Sequence, residues 1–163
     1  LQVFHYKPIG IIHSPFTNKE KMPIQPSGAV GIKGTVEVEP EYKEGLQDLE
    51  KFSHIILLYH FHLSKGFSLK VKPFLDNKLH GIFCTRAPRR PNQIGLSIVK
   101  LMRVENNILH IENVDIIDGT PLLDIKPYVP AFDIHEVERI GWLTDAMDKS
   151  TRFRSNGRFK NEI

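Results

Sequence analysis

The stretch Ile98-Val99-Lys100-Leu101-Met102-Arg103-Val104-Glu105, then Asn106-Asn107, then Ile108-Leu109-His110-Ile111-Glu112-Asn113-Val114 decides the fold. Two apolar segments rich in β-branched residues flank a pair of asparagines. Asparagine tolerates the left-handed backbone that a tight turn needs, so the stretch predicts a β-hairpin. Tyr6–His13, Gly34–Val38, Ser53–His62 and Leu122–Ile125 predict further short strands, and Ile82–Cys84 is strand-like. Ser14–Gly28, with Pro15, Pro23, Pro26 and Gly28, predicts a long loop. Pro40–Glu50 predicts a short helix with proline in its first turn. Within Asp133–Lys149, Ile140, Leu143 and Met147 have helix-compatible spacing. Many short strands separated by turn residues favour a barrel or a sandwich over βαβ units.

The length of 163 residues fits one domain with a modest appendage. A mean hydropathy of -0.25 is that of an ordinary soluble protein, and no apolar run is long enough to span a bilayer. Leu1–Lys7 lacks the order of a secretory signal. Cys84 is the one cysteine, so no disulfide forms within the chain, and a reducing, cytoplasmic setting is expected. The pI near 9.0 suits an anionic partner, although a net charge of +3 is weak support for one.

Two runs carry the chemistry. The first is Thr85-Arg86-Ala87-Pro88-Arg89-Arg90-Pro91-Asn92-Gln93-Ile94-Gly95-Leu96-Ser97. Unpaired arginines are too costly to bury, and two prolines stiffen the backbone, so this is either a grip for an anionic or polar ligand or a solvated loop. The second is Asp118-Gly119-Thr120-Pro121-Leu122-Leu123-Asp124-Ile125-Lys126-Pro127-Tyr128-Val129-Pro130. Its first residues form a turn that exposes backbone N–H groups. Asp124, Lys126 and Tyr128 alternate and would share one face of an extended segment, either lining a pocket or forming a solvated Asp–Lys pair.

His60 and His62 would share one face of a strand, but no third ligand at metal-site spacing accompanies them, and no metal is expected. Cys84 is expected in the core. Neither a Gly-x-Gly-x-x-Gly nor a P-loop pattern occurs, which argues against the common Rossmann and NTPase sites. The stretch Thr151–Ile163 interleaves Arg152, Arg154, Arg158 and Lys160 with Phe153 and Phe159. It is either a frayed tail or a nucleic-acid contact.

Several separated motifs, in this order, resemble one family. They are Ile9-Gly10-Ile11-Ile12-His13-Ser14-Pro15, Pro23-Ile24-Gln25-Pro26, Leu49-Glu50-Lys51-Phe52-Ser53-His54 and Phe61-His62, followed by the two runs above. The family is the TsaA-like, or TrmO, group of S-adenosylmethionine-dependent tRNA methyltransferases, and the resemblance extends to about Asp133. It implies a closed β-barrel, with short helices, over residues 1–137 and a C-terminal extension over 138–163. It also implies S-adenosylmethionine as cofactor, a homodimer, and methylation of N6 of threonylcarbamoyladenosine in the tRNA anticodon loop. Carried over by motif, the cofactor contacts are expected at Pro23, Ile24 and Gln25, at His62 and Leu63, at Arg86 and Leu96, and at Asp118, Gly119, Thr120, Pro121 and Leu122. Arg89, Arg90, Asn92 and Lys126 are expected at the substrate, with Asp118, Asp124 and Tyr128 as candidate proton acceptors. Two departures from the family pattern, Ala87-Pro88 and Gln93-Ile94-Gly95, are compatible with a cofactor site and are expected to bear on the substrate side. Longer members carry a C-terminal domain that helps engage tRNA, and this chain is expected to end before it. The alternatives are a non-catalytic nucleotide- or RNA-binding barrel, or a methyltransferase acting on another acceptor.

Overall fold

The computed structural model describes residues 1–18 and 26–146. In chain order the strands are β1 (Gly10–His13), β2 (Lys33–Val38), β3 (His54–His60), β4 (Lys70–Val71), β5 (His80–Gly81), β6 (Ile94–Glu105), β7 (Ile108–Glu112) and β8 (Thr120–Pro127). Helix α1 is a single turn, Pro130–Asp133. Six strands close an antiparallel barrel in the order β1-β2-β7-β6-β3-β8, with β8 pairing back onto β1. β4 and β5 form a separate two-stranded ribbon.

Strict alternation builds the interior. On β3, Ile55, Leu57 and Tyr59 point inward, and on β7 Leu109 and Ile111 do so. A period of two sends successive side chains to opposite faces, so each of these strands lines the core with every second residue. The hairpin predicted between β6 and β7 is present. Asn106 takes the left-handed conformation, φ 57°, and the Asn107 side-chain amide donates to the Val38 carbonyl at 2.7 Å. The first half of β6 pairs with β3 and the second half with β7, with an irregularity between Leu101 and Arg103. A bulge of this kind bends a strand and lets one long strand turn a barrel corner.

Three local expectations are corrected. Tyr6–His13 is a strand only from Gly10, because beyond Val38 the neighbouring strand gives way to a 3₁₀ segment at Pro40–Leu46 and offers no further edge. The helix expected over Pro40–Glu50 is two 3₁₀ segments, Pro40–Leu46 and Leu49–Lys51, separated where Asp48 turns left-handed at φ 66°. Ile82–Cys84 is a 3₁₀ turn rather than a strand, and it leaves Cys84 exposed instead of in the core. Of the helix expected within Asp133–Lys149, residues 143–146 are helical, and Met147 lies outside the described residues.

Gly95 faces inward and is buried. It sits directly across β3 from Tyr59, whose ring occupies the space a Cβ would need. Gly95→Ala must push that ring out of a packed interior, a form of overpacking that costs about 1–3 kcal/mol. Thermal unfolding followed by circular dichroism should show a fall in Tm of several degrees, partly recovered when Tyr59→Leu is added.

Candidate functional site

Three loops meet at one rim of the barrel. β3 ends at His60, β6 begins at Ile94 opposite it, and β8 begins at Thr120, two residues before Leu122 pairs with Tyr59. The segments after β3, before β6 and before β8 are therefore brought together although up to about sixty residues separate them in sequence. The arginine-rich run and the Asp-Gly turn lie at this same end.

Backbone and side-chain bonds stitch the first two loops. Phe61 N–H donates to the Gln93 carbonyl at 2.9 Å, Ser68 N–H to the Arg89 carbonyl at 3.2 Å, and the Gln93 side-chain amide to the Gly66 carbonyl at 2.9 Å. Arg90 holds the arginine loop in shape. Its Nη1 donates to the carbonyls of Thr85 (2.7 Å), Ile82 (3.2 Å) and Ala87 (3.3 Å), and its guanidinium lies 5.9 Å from the centre of the Phe83 ring. Arg86 and Arg89 are exposed and have no carboxylate partner among the described residues. The three arginines thus divide into one that shapes the loop and two left to face outward.

The third loop is tied to β1. Asp118 N–H donates to the Phe16 carbonyl and Gly119 N–H to the Ile12 carbonyl. Asp118 Oδ1 accepts from Ser14 N–H at 3.1 Å and lies 3.3 Å from His13 Nδ1, and its side chain is 42% exposed. Asp118 Oδ2 has no partner among the described residues. Gly119 takes φ 75°, a left-handed position with open space around its Cα, where glycine bears no steric penalty.

His62 does not share a strand face with His60, because the strand stops at His60 and His62 N–H donates back to the His60 carbonyl at 2.8 Å. The turn swings His62 Nδ1 to 3.4 Å from Thr120 Oγ1. Thr120 spends its own proton on the Ile117 carbonyl at 2.6 Å, so towards His62 it accepts and Nδ1 carries the hydrogen. Burial, and then the neighbouring His60, hold the His62 imidazole below its ordinary value of 6.5. Among the described residues no group of three or more His, Cys, Asp or Glu side chains is placed to hold a metal ion.

Beneath the rim runs a polar chain that the sequence did not signal. Tyr59 OH lies 3.0 Å from Ser97 Oγ, and Ser97 Oγ donates to Asp115 Oδ1 at 2.7 Å. A carboxylate can only accept, so the serine proton goes to Asp115 and Tyr59 donates to the serine. Burial pushes the Tyr59 phenol up to about 12, against opposing contributions from the Ser97 hydrogen bond and the Arg86 charge. The phenol therefore stays protonated and the chain keeps its direction. Ser97 was discoverable from strand parity, since Gly95, Ser97 and Val99 form the inward set, whereas nothing near Asp115 in sequence marks it.

The structure distributes the expected site residues unevenly. His62, Leu63, Arg86, Arg89, Asn92 and Asp118–Thr120 gather at the rim, where Leu63 is 48% exposed, whereas Leu96, opposite Leu58 and facing outward, is 47% exposed on the outer wall. Leu122 is fully buried, so its side chain belongs to the core and offers no surface to a ligand. A register shift on β8 between the pairs Tyr59–Leu122 and Leu58–Asp124 turns Asp124 and Lys126 to the outer wall, where they pair at 2.8 Å. Tyr128 lies beside His54 at the opposite end of β3, a strand's length of about 20 Å from the rim. Pro23, Ile24 and Gln25 lie outside the described residues.

A small closed antiparallel barrel is the class of protein that the fold defines. The profile of the tRNA-methyltransferase O N-terminal domain matches residues 11–134. The chain belongs to this family. It is 58% identical, over 94% of its length and 84% of the other's, to a probable S-adenosyl-L-methionine-binding protein of Pyrococcus abyssi. It is 40% identical, over 78% of its length, to the tRNA (adenine(37)-N6)-methyltransferase of Mus musculus, of which it spans 31%. The crystal structure of TrmO from Pseudomonas aeruginosa superposes with a TM-score of 0.73 at 41% identity, covering 86% of this chain and 62% of that one.

The depressed His62 pKa has a defined sign. The unfolded chain takes up the proton at a higher pH than the folded chain, so the stability associated with a neutral His62 is present above about pH 6.5 and is lost as pH falls below it. Tm measured between about pH 7 and pH 5 should fall more steeply in the wild type than in His62→Gln. Parallel curves would remove His62 as the source.

Proposed function

We propose that this chain binds S-adenosylmethionine at the rim and methylates N6 of an adenosine in tRNA, the acceptor being threonylcarbamoyladenosine of the anticodon loop. The observation that carries the proposal is the meeting of the segments around His62, Arg86 and Asp118 at one end of the barrel. The fit to the cofactor rests on the surface those segments offer. Exposed Leu63 provides apolar surface for a purine at the rim. The half-exposed carboxylate of Asp118 suits a ribose diol or a cationic sulfur, and Gly119 lets the main chain approach closely. Ser64, next to Leu63, has a buried hydroxyl with no partner among the described residues, a polar group in want of one. When bound, the cofactor supplies an activated methyl group.

The chain's own work is alignment and proton removal. Holding nucleophile and methyl in line contributes on the order of 7–11 kcal/mol. An N6 conjugated to a carbamoyl group is a poor nucleophile until its proton leaves, so a base helps. Of the three expected acceptors only Asp118 sits at the rim, and Asp118 Oδ2 is the oxygen left to take the proton. Asp124 is committed to Lys126 and to Ile125 N–H on the outer wall. Arg86 and Arg89 are suited to the substrate's carboxylate and phosphates through bidentate hydrogen bonds. Arg90 acts by positioning that loop.

Two copies of the chain complete the proposal. Ile94, Leu96 and Ile98 form an outward apolar row on β6, 43–47% exposed, with Ile56 and Leu58 beside it on β3. A second copy is the occupant that the family resemblance implies. With tRNA as acceptor the compartment is the cytoplasm.

Calorimetry should register binding of S-adenosylmethionine and S-adenosylhomocysteine, and mass spectrometry of tRNA nucleosides should show the N6-methylated product. Binding without product on any RNA would leave a non-catalytic barrel, and product on a different acceptor would replace the proposed one. Asp118→Asn should lower kcat on the order of 10²-fold. Arg89→Ala should raise the tRNA KM while cofactor affinity holds. Arg90→Ala should weaken both, because it releases the whole loop. An Arg90→Ala effect confined to the tRNA KM would place that guanidinium on the substrate instead.

A further inference from the structure

Charge is far from evenly spread. Between Leu63 and Arg90 stand seven Lys and Arg residues against one acid, Asp76, so this segment carries +6 whereas the whole chain carries +3. The segment holds the β4–β5 ribbon, its flanks and the arginine loop; without Arg86, Arg89 and Arg90 the ribbon and its flanks still carry +3, as much as the whole chain. Asp76 is spent internally, since it accepts from Asn77 N–H and Lys78 N–H and lies 2.8 Å from His80 Nε2. Lys65, Lys70, Lys72 and Lys78 are exposed and have no carboxylate partner among the described residues. Interleaved with them, Phe74 is 90% exposed, Phe83 76% and Phe67 57%.

We propose that the β4–β5 ribbon is a docking surface for RNA with unpaired bases. Exposed rings at intervals among unpaired cations match what single-stranded nucleic acid requires: π faces for successive bases and positive charge for the backbone. A protein partner is the poorer fit, because lysine is depleted from protein interfaces. The ribbon is also correctly placed. Ile82 N–H donates to the Leu69 carbonyl, and Ser68 N–H to the Arg89 carbonyl, so the ribbon and the arginine loop are joined by backbone bonds. Trp142 braces the other side, stacking on His80 at 5.0 Å and donating to the Cys84 carbonyl at 2.8 Å. RNA held on the ribbon would lie beside the rim. The inference rests on the rim acting on a nucleotide in RNA, and it specifies where the surrounding loop is gripped.

The test is fluorescence anisotropy with a labelled anticodon-type stem-loop and with a duplex of the same stem lacking the loop. The stem-loop should bind more tightly. Phe74→Ala should weaken it about tenfold, and the Lys70→Gln, Lys72→Gln double variant should lower the slope of log affinity against log salt by about 1.4. Far-UV circular dichroism and calorimetric affinity for S-adenosylmethionine should stay unchanged in these variants, none of whose residues lies at the rim. Equal affinity of wild type and variants for the stem-loop overturns the assignment, as does ribbon-dependent binding to anionic lipid vesicles in place of RNA. If the stem-loop binds through the ribbon but is never methylated, the functional proposal falls and the docking surface stands. If tRNA is methylated with the same KM by wild type and variants, the docking surface falls and the function stands.

Discussion

The pairing of β3 on both of its edges is the constraint from which the rest of the structure follows. β6 lies on one side and β8 on the other, and neither is its neighbour in sequence. Both must find β3 in register, and a slip of one residue would turn every side chain of the slipped strand to the wrong face. The register is marked by volume: the Tyr59 ring fills the space over Gly95, a position where no larger residue fits without displacement. Once that fit is made, the ends of β3, β6 and β8 coincide and three distant loops share one rim.

Polar groups then complete what apolar packing begins. Buried hydroxyls must find partners, and the Tyr59–Ser97–Asp115 chain supplies them while linking β3, β6 and the β7–β8 connection beneath the rim. Arg90 does the same for the arginine loop. Its guanidinium gathers the carbonyls of Thr85, Ile82 and Ala87, of which that of Ile82 also accepts from Thr85 N–H. The result is a stiff loop that displays Arg86 and Arg89, and a stiff surface is what alignment of two reactants demands. Charge follows the same geography, with the cationic excess shared between the ribbon and the arginine loop that adjoins it.

Strand existence and hairpin pairing were legible because alternation and turn residues are local signals. The asparagine turn, the short strands around it and a barrel-or-sandwich class follow from such signals, while the closed barrel is what the family resemblance implied. Orientation was harder to read in β6. Ile94, Leu96 and Ile98 look like core residues, yet they face outward, while Gly95 and Ser97 face in. Cys84 and Ile82 likewise looked like strand, and a 3₁₀ turn forms instead, with Ile82 N–H bonded to the Leu69 carbonyl beside the ribbon and no barrel strand paired with them.

By itself the sequence determined the β-rich class, the two motifs that carry the chemistry and, through their order, the family. These depend on residue identity and short spacing alone. Tertiary structure decided which motif residues share a site: the rim collects His62, Arg86 and Asp118, while a one-residue register shift on β8 sends Asp124 and Lys126 to the outer wall and leaves Leu122 in the core. It also decided that Arg90 shapes the loop and that Ser97 and Asp115 lie under it. The physical reason is that a strand's faces and ends acquire meaning only from the strands beside it, and here those partners lie tens of residues away.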